Sequence, residues 1–359
     1  MNLLNNNFEN KYNVPKYNPG THYLEVSKSG YFRELTIIRH HIKIASDYYW
    51  SEIQKAYNID LFMLTPSVSS PMGPDNDSES IKIKFGNLHT YLVDSSQFGF
   101  EPIIMNGVDK VYCYLPSMRG ENPDKRHLNQ FFHCEAEIKG TLEDLRPQIE
   151  GYIKHLAYVM LSQKSILKKI SANYEVSIQK LEAVINKKNF EQIEFDCAID
   201  LLLKNGFSQY VDQTEHGIDI SSQGELELMK ILKTNTPIWI NNYDRDRVAF
   251  YQKPHKDNPI KVINADLIFP SILKTSFGGE IVGCGQRQDK IEEIYESLKR
   301  QNIDPKPYEW YINLRRQSNY STTAGFGLGI ERFIAWTLNR DDIKDVILYP
   351  RLKNIFTQP

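Results

Sequence analysis

Apolar residues recur along this chain with two different periods, and the period separates helices from strands. Spacing of three to four residues is typical of amphipathic helices and runs through residues 34–56 and through Ile149–Met160. Alternation of apolar and polar residues is typical of half-buried strands and is found in IKIKFG, HTYLV, KVYCYL and FFHCEAEI, between residues 81 and 138. Short strands joined by short turns predict an antiparallel sheet.

The second half of the chain continues to alternate strands and helices. A lysine-rich helical segment at about residues 161–195 is interpreted as an insertion. A helix is expected to begin near Ile330, and another around residues 291–298. Further strands are expected at 58–66 (NIDLFMLTP), 237–241 (PIWIN), 247–252 (RVAFYQ), 261–267 (KVINADL) and 280–285 (EIVGCG). This order predicts an α+β fold, with helices packed around one central sheet.

Composition narrows the class of protein without identifying it. Hydrophobic residues make up 41% and charged residues 25% of the 359, as in a soluble globular protein. The Asn-rich N-terminus has no apolar run, so we expect a flexible leader at 1–33, one domain at 34–359 and a cytoplasmic location. The four cysteines form no CxxC pair, and the net charge of −2 gives no overall basic footprint for nucleic acid.

The segment GFGLGIERF, residues 325–333, combines three glycines with an adjacent Glu-Arg pair. Its spacing is GxGxG, so it matches neither the GxGxxG dinucleotide fingerprint nor a P-loop. One interpretation is a turn whose glycines allow a helix to pack closely. The other is that the glycines clear space beside a ligand while the helix start presents Arg332, whose planar fork of donors suits phosphate oxygens.

A second polar concentration lies in VYCYLPSMRGENPDKRHLNQFFHCEAEI, residues 111–138. Strand alternation places Phe131, His133, Glu135 and Glu137 on one face, opposite an apolar face. Such a polar face is either solvated or turned toward a ligand, since burying carboxylates without partners is costly.

These segments resemble the class II aminoacyl-tRNA synthetases of the asparaginyl/aspartyl subgroup. MRGE followed by KRHLNQFF resembles motif 2, GFGLGIERF resembles motif 3, and LTP at Pro66 resembles the end of motif 1, which forms the dimer interface. The resemblance covers roughly residues 60–351 and favours the asparaginyl branch. Subgroup-specific matches are EHGIDISSQGE (215–225), NYDRDRVAFYQ (242–252), GGEIVGCGQRQDK (278–290), EWYINLRR (309–316) and DVILYPR (345–351). It implies an antiparallel sheet flanked by helices, a homodimer, and an AMP-forming ligase that uses ATP and Mg²⁺.

The resemblance also implies roles for particular residues in ATP binding. Arg119 would contact the α-phosphate and Arg332 the γ-phosphate, while Phe131 would stack on adenine. Glu280 and Asp266 would bind magnesium, a cation that prefers oxygen ligands. The positions that hold adenine and the pyrophosphate end are Glu121, Arg126 and His127.

The implied amino-acid pocket matches the family in part and departs from it in part. The matching positions are Ser95, Gln97, Glu135, Glu137 and Arg287, with Glu135 or Glu137 meeting a positively charged or amide-bearing substrate. Aspartyl enzymes carry a lysine where this chain has approximately Phe100, and the family's Glu-Gly after motif 1 is replaced by PDN, where Asp75 is the candidate substitute.

The expected function follows from the resemblance and from one apparent loss. Asparaginyl enzymes place an anticodon-binding barrel before the catalytic domain, and here only the short leader precedes the first helix. We therefore expect a freestanding paralogue of the asparagine synthetase-related type, which adenylates aspartate, asparagine or an analogue and passes the acyl group to ammonia or a small amine. In this reading tRNA is an unlikely partner and no membrane is involved.

Two alternatives remain open. One is a truncated asparaginyl-tRNA synthetase that acts on tRNA or a tRNA mimic. The other is a non-catalytic paralogue that senses amino acid or adenylate. The residues do not distinguish aspartate from asparagine, do not show which carboxylate is activated, and do not identify the acceptor.

Overall fold

A mixed eight-stranded sheet forms the centre of the computed structural model, which describes residues 11–69 and 79–358. The strands are β1 Tyr57–Asn58, β2 Leu64–Thr65, β3 Lys82–Phe85, β4 Leu88–Leu92, β5 Lys110–Met118, β6 Gln130–Lys139, β7 Glu191–Glu194, β8 Val211–Thr214, β9 Gly217–Ile220, β10 Ile238–Asn241, β11 Asn264–Phe269, β12 Gly279–Gln286 and β13 Thr323–Gly329. The large sheet has the order β1-β5-β6-β13-β12-β11-β10-β7. Its pairs are antiparallel except at the two edges, where β1 joins β5 and β7 joins β10 in parallel.

Helices cover the sheet and connect its strands. They are α1 His22–Lys28, α2 Gly30–Tyr48, α3 Phe100–Met105, α4 Leu142–Ser162, α5 Lys164–Ile170, α6 Tyr174–Asn186, α7 Phe195–Lys204, α8 Ser222–Ile231, α9 Ile291–Arg300, α10 Glu309–Leu314 and α11 Ile330–Leu338. The main core lies between α2, α4, α5, α6 and α11 and one face of the sheet. The predicted α+β fold with an antiparallel sheet flanked by helices is confirmed.

Strand β6 shows how the alternation of residues divides the sheet into two faces. Cys134, Ala136 and Ile138 are each at most 2% exposed and belong to the main core. Residues 131, 133 and 135 point to the opposite face, where they line a cavity. The apolar face therefore drives packing, and the polar face is left for chemistry.

The GxGxG segment forms a strand, which differs from the turn that one of the two interpretations expected. Residues Thr323–Gly329 pair with β12 on one side and with β6 on the other, near the middle of the sheet. Glycine has a low strand propensity, so the sequence does not show this strand. Pairing on both sides overrides that propensity. The helix after it begins at Ile330, as predicted.

Several other elements in the structure differ from those predicted from the sequence. Residues 11–33, expected to be a flexible leader, contain α1 and the start of α2, and Tyr12 and Val14 pack against the main core. The segment 161–195 is mainly helical, but its apolar side chains belong to the main core, and it supplies the edge strand β7. Residues 247–252 form no strand, only a bridge at Gln252, and 58–66 contain just two short strands.

No helix in the described ranges 11–69 and 79–358 is long and apolar enough to cross a membrane.

Candidate active site

Two adjoining cavities open on the polar face of the sheet. The Arg287 cavity has a volume of about 570 Å³ and is lined by Ser95, Gln97 and Glu135 as well as Arg287. The Phe131 cavity has a volume of about 640 Å³ and includes Glu121 in its lining. Both cavities share Arg119, Arg126, His127, His133, Glu280, Gly327 and Arg332. The structure therefore brings most of the predicted site residues into one continuous space.

Glycines of β12 and β13 lie opposite each other in the middle of the sheet, directly below the cavity. Gly283 lies opposite Gly327, and Gly285 lies opposite Gly325. A Cβ at Gly325 would overlap the guanidinium of Arg287, and one at Gly285 would overlap the side chain of Gln252. The glycines of β12 and β13 thus allow large polar side chains to lie flat on the sheet.

Arg119 is held at the end of β5 beside the ring of Phe131. Its guanidinium lies 5.4 Å from the centre of that ring. Its backbone is fixed by Asn129, since Arg119 N donates to the Asn129 carbonyl at 3.0 Å and the Asn129 amide donates to the Arg119 carbonyl at 2.8 Å. The Nε atom of Arg119 is buried with no hydrogen-bond partner within the described residues. The arginine is therefore positioned by its backbone and an aromatic ring, and its side chain faces the cavity.

The loop between β5 and β6 contributes three more of the predicted ATP-binding residues. Arg126 donates from Nη1 to the Gly278 carbonyl and stacks on Phe277, 4.6 Å from the ring centre. His127 Nδ1 lies 2.9 Å from Asp124 Oδ1. Burial and the charge of Arg332 lower the pKa of His127, which favours a neutral ring. Glu121 lies at the rim of the Phe131 cavity.

Arg332 and the carboxylates expected to bind metal meet above Gly283. Arg332 Nη1 donates to Glu280 Oε2 at 2.8 Å and to the Glu280 carbonyl at 3.1 Å. An ideal Cβ at Gly283 would lie 3.3 Å from Asp266 Oδ1 and 3.4 Å from Glu280 Oε1, so the two carboxylates converge over this glycine. Burial and the charge of Glu280 raise the pKa of Asp266 well above its ordinary value. Concentrated negative charge of this kind suits a divalent cation.

Arg287, which follows β12, is fixed by a carboxylate of β6, two strands away across β13. Its Nε and Nη2 atoms donate to Glu137 Oε2 at 3.2 and 3.0 Å, and Thr323 Oγ1 donates to Glu137 Oε1 at 2.7 Å. The guanidinium also lies 5.3 Å from the centre of the Tyr251 ring. Glu137 is fully buried and does not line the cavity, so its predicted place in the substrate-binding set is corrected to one behind Arg287.

Glu135 lies beside Arg287 on the cavity face. It accepts hydrogen bonds from Ser95 Oγ and, at 2.8 Å, from Ser96 N. Burial raises the pKa of Glu135, and the bonds from Ser95 and Ser96 act against that rise. A carboxylate has about four lone-pair sites, so capacity remains for a donor from a ligand.

The two departures from the family pattern have different outcomes. Phe100 is 1% exposed and packs with Ile104, Val111 and Cys113 outside the cavity lining, so its side chain does not replace a lysine inside the cavity. Asp75, with the rest of PDN, lies outside the described residues.

Among the residues that line the cavities, Glu225 and His133 have contacts that the sequence did not predict. Glu225 of α8 accepts a hydrogen bond from Glu280 N at 2.9 Å, and burial raises the pKa of Glu225 to about 7. His133 lies between Phe131 and Glu135 on β6, with Nδ1 2.9 Å from Ser117 Oγ. The alternation placed His133 on the cavity face without giving it a function, whereas Glu225 comes from a distant helix that no local pattern connects with β12.

Comparison with known proteins defines the class. The family model for class II tRNA synthetases (D, K and N) matches residues 55–353. A solved structure of asparaginyl-tRNA synthetase from Pyrococcus horikoshii, complexed with asparaginyl-adenylate, superposes with a TM-score of 0.82 at 25% identity, covering 97% of this chain and 76% of that one.

Relatives of known sequence are similar over most of this chain. An asparagine–tRNA ligase from Mycoplasma pneumoniae is 31% identical over 301 residues, which are 79% of this chain and 64% of the relative. That from Pyrococcus furiosus is 31% identical over 271 residues, 75% of this chain and 58% of the relative. The chain belongs to the class II tRNA synthetases of the D, K and N group, as the resemblance indicated. It spans about three-fifths of the length of these relatives.

These relatives overturn two expectations. Both are named for a reaction with tRNA, so the expectation of a tRNA-independent ligase acting on ammonia or a small amine was wrong, as was that of tRNA being an unlikely partner. Both rested on the net charge and on an apparently missing barrel. A net charge sums the whole surface, whereas RNA contacts depend on local charge. The alternative of an asparaginyl-tRNA synthetase acting on tRNA agrees better with the relatives.

Proposed function

We propose that this chain activates asparagine with ATP and transfers the asparaginyl group to tRNA. The observation that carries the proposal is the pair formed by Arg287 and Glu137 beside Glu135. An unpaired arginine at this place would favour the carboxylate of aspartate. Here Glu137 compensates the charge of Arg287, and Glu135 adds a second carboxylate to the pocket.

A neutral carboxamide is the side chain that best complements this pocket. Its carbonyl oxygen can accept from Arg287, and its NH₂ group can donate to Glu135. Aspartate would bring a third carboxylate next to Glu135, and like charges in a buried site are strongly unfavourable. Glu135 would therefore have two effects: it would repel the carboxylate of aspartate, and it would accept a hydrogen bond from the carboxamide of asparagine. The structure of the P. horikoshii relative with asparaginyl-adenylate supports this substrate.

The Phe131 cavity would hold ATP. Phe131 offers a face for adenine, and Arg119 and Arg332 supply cationic donors for the phosphates. In the first step a carboxylate oxygen of asparagine attacks the α-phosphorus, the bond to the β-phosphate oxygen breaks, and pyrophosphate leaves. The attacking carboxylate is already ionised at neutral pH, so this step needs positioning and charge stabilisation instead of a general base.

Glu280 and Asp266 fit the magnesium ion that the family implies. Both present hard oxygen donors over Gly283, although no group of three or more His, Cys, Asp or Glu suited to a metal occurs within the residues described. ATP phosphates would complete the shell of an ion held by these two carboxylates. When bound, such an ion neutralises phosphate charge.

In the second step a ribose hydroxyl at the 3′ end of tRNA attacks the carbonyl carbon of the adenylate. The new ester bond forms, the bond between carbonyl carbon and phosphate oxygen breaks, and AMP leaves, its phosphate taking up the hydroxyl proton. The relatives' reaction with tRNA supports this acceptor.

We also propose a homodimer, in which one copy packs against the same surface of another. Its support is the exposure of large apolar residues on α2 and the nearby edge strand β1, where Ile44 is 51%, Tyr48 53% and Tyr57 68% exposed. Self-complementary surfaces of this kind are typical of two-fold dimers. Sedimentation at micromolar concentration should show a dimer, and an active monomer would contradict it.

Pyrophosphate exchange with a panel of amino acids tests the first step. Asparagine should support exchange far better than aspartate. Incubation of labelled asparagine and ATP with total tRNA, followed by acid precipitation, tests the second. Label on tRNA is expected, whereas exchange with asparagine in the absence of any labelled tRNA would contradict the proposed acceptor.

A further inference from the structure

The first turn of α11 directs adjacent residues to opposite sides of the sheet. Arg332 faces the cavity, where it bonds Glu280. Glu331, with 1% of its side chain exposed, points into the interior between β6 and α2. Successive helical residues are about 100° apart around the axis, so fixing Glu331 also fixes the direction of Arg332.

Glu331 continues the hydrogen bonding of the sheet beyond the end of β13. The last pair between β13 and β6 is Gly329 with His133, and the next residue of β6, Phe132, has no partner on β13. Glu331 Oε2 accepts the hydrogen bond from Phe132 N at 2.8 Å. A buried N–H group without an acceptor is costly, so this carboxylate anchors α11 to β6.

Arg39 of α2 contacts both Glu331 and Phe132, the two residues joined by this hydrogen bond. Its Nη2 atom forms an ion pair with Glu331 Oε1 at 2.7 Å, and its Nη1 atom donates to the Val346 carbonyl at 2.9 Å. The guanidinium also lies 5.2 Å from the centre of the Phe132 ring. Phe132 is therefore fixed at its backbone and at its ring. Its neighbour Phe131 faces the opposite side of the strand, in the cavity.

We propose that Arg39 and Glu331 are positioning residues for the nucleotide, which hold Phe131 and Arg332 at their working separation. This rests on the proposed function only in taking ATP as the ligand of the Phe131 cavity. Arg39 lines neither cavity, and Glu331 borders the Phe131 cavity with only 1% of its side chain exposed, so we expect their effect to pass through Phe132 and the first turn of α11. Asparagine binding, which depends on Arg287 and Glu135, should be little affected.

Direct titration with α,β-methylene-ATP, which the reaction cannot cleave, tests the proposal. Glu331→Gln keeps an acceptor for Phe132 N and removes the charge that Arg39 needs. Arg39→Met keeps apolar contact with the Phe132 ring and removes the ion pair. Each is expected to weaken nucleotide affinity about tenfold, while the double variant should be no more than about twofold weaker than either single one, because both changes break one network.

Lys43→Met is the matched control. Lys43 lies one turn along α2, is exposed, and stacks 5.8 Å from the ring centre of Tyr114 without a contact to α11 in the described structure. Its nucleotide affinity should equal that of the wild type. Arg39→Lys, which retains a charge but loses the fork of donors, should lie between wild type and Arg39→Met.

The readouts separate positioning from a purely structural role. Lower melting temperatures with unchanged affinity for the analogue would overturn the proposal, as would equal rises in the Michaelis constants for ATP and asparagine. Wild-type protein that binds the analogue but exchanges no pyrophosphate with asparagine would refute the proposed substrate. Weakened binding in the two variants would still support the positioning pair.

Discussion

In the Arg287 cavity the charged groups are bonded to one another, whereas among the described arginines of the Phe131 cavity only Arg332 has a carboxylate partner, Glu280, and two further arginines rest on aromatic rings. Arg287 is paired with Glu137, and Glu135 is held by Ser95 and Ser96. By contrast, Arg119 and Arg126 lie over Phe131 and Phe277. The first arrangement leaves a pocket with little excess positive charge, and the second leaves cationic donors free for a ligand.

The difference matches the chemistry proposed for each end. A polyanion such as ATP brings its own negative charge, so the cavity that binds it needs more cationic groups than carboxylates can neutralise. A neutral carboxamide brings none, so the pocket that receives it must be neutralised beforehand. Pre-paired charges also reject the wrong substrate, because a carboxylate placed there finds a neighbour of the same sign. Variants that change the charge of one cavity at a time can test this contrast.

The largest effect is expected from removing a cation at the nucleotide end. Arg332→Ala or Arg119→Ala should lower the rate of adenylate formation by about 10² or more, the scale for a lost donor to the transition state. Pyrophosphate exchange measures the rate, and circular dichroism checks the fold. Arg33→Ala is the control, since the Arg33 side chain is 63% exposed and remote from the cavity lining. Near-normal exchange in both cavity variants would show that these arginines do not act on the phosphates.

The next effect concerns discrimination at the other end. Glu135→Gln should lower the preference for asparagine over aspartate, measured as the ratio of kcat/KM values, about tenfold or more, because the like-charge repulsion is removed. Glu143→Gln, at a position 78% exposed, is the control. An unchanged ratio would remove Glu135 from the specificity pocket.

The pH dependence of discrimination against aspartate in the wild-type protein is a second test of Glu135. Burial raises the pKa of Glu135, so this group takes up its proton at a higher pH than an ordinary glutamate. Protonated Glu135 no longer repels a carboxylate. In the wild type, discrimination against aspartate should therefore fall as the pH falls. In Glu135→Gln this part of the pH dependence should be absent.

A smaller effect is expected from the adenine platform. Phe131→Ala should raise the Michaelis constant for ATP about tenfold and leave that for asparagine within about twofold, since one stacked base contributes roughly 1–3 kcal/mol. Steady-state kinetics with each substrate varied in turn will measure both constants. Phe85→Ala, at an exposed position on the β3–β4 hairpin, is a matched control. Equal rises for both substrates would indicate that the ring supports the fold.

The sequence predicted one end of the site more completely than the other. Most of the Phe131 cavity comes from β5, β6 and their connecting loop, so local spacing brought Arg119 and Phe131 together correctly. Glu225 comes from α8 and reaches Glu280 only in the folded chain. Alternation also put Glu137 on the cavity face, but it could not show that Arg287 would lie over it and separate it from the cavity.

The fold class followed from periodicity, and its errors have physical causes. Glycine-rich β13 has no strand propensity and is held by pairing with β6 and β12. Residues 247–252 alternate like a strand but pack as an aromatic cluster, with Phe250 against Tyr308 at 4.7 Å. In both cases tertiary contacts, which a local pattern does not contain, decide the structure.

The smallest effect comes from a carboxylate outside both cavities, and it tests whether pairing is special to the site. Burial raises the pKa of Asp345 to about 6, against the attraction of Arg340. The folded chain then binds more protons than the unfolded chain between about pH 4 and 6, so stability from this group is present at low pH and is lost as pH rises through that window. Asp345→Asn should remove the loss and raise the free energy of unfolding at about pH 7 by about 1 kcal/mol, after discounting for partial exposure. Urea denaturation at about pH 4 and pH 7 measures it, with exposed Asp200→Asn as control. Glu135→Gln should show a smaller gain, because in the folded state the bonds from Ser95 and Ser96 to its carboxylate oppose the effect of burial. A similar gain in both variants would mean that Glu135 is no better compensated than an ordinary buried acid, and the contrast between the two cavities would fail.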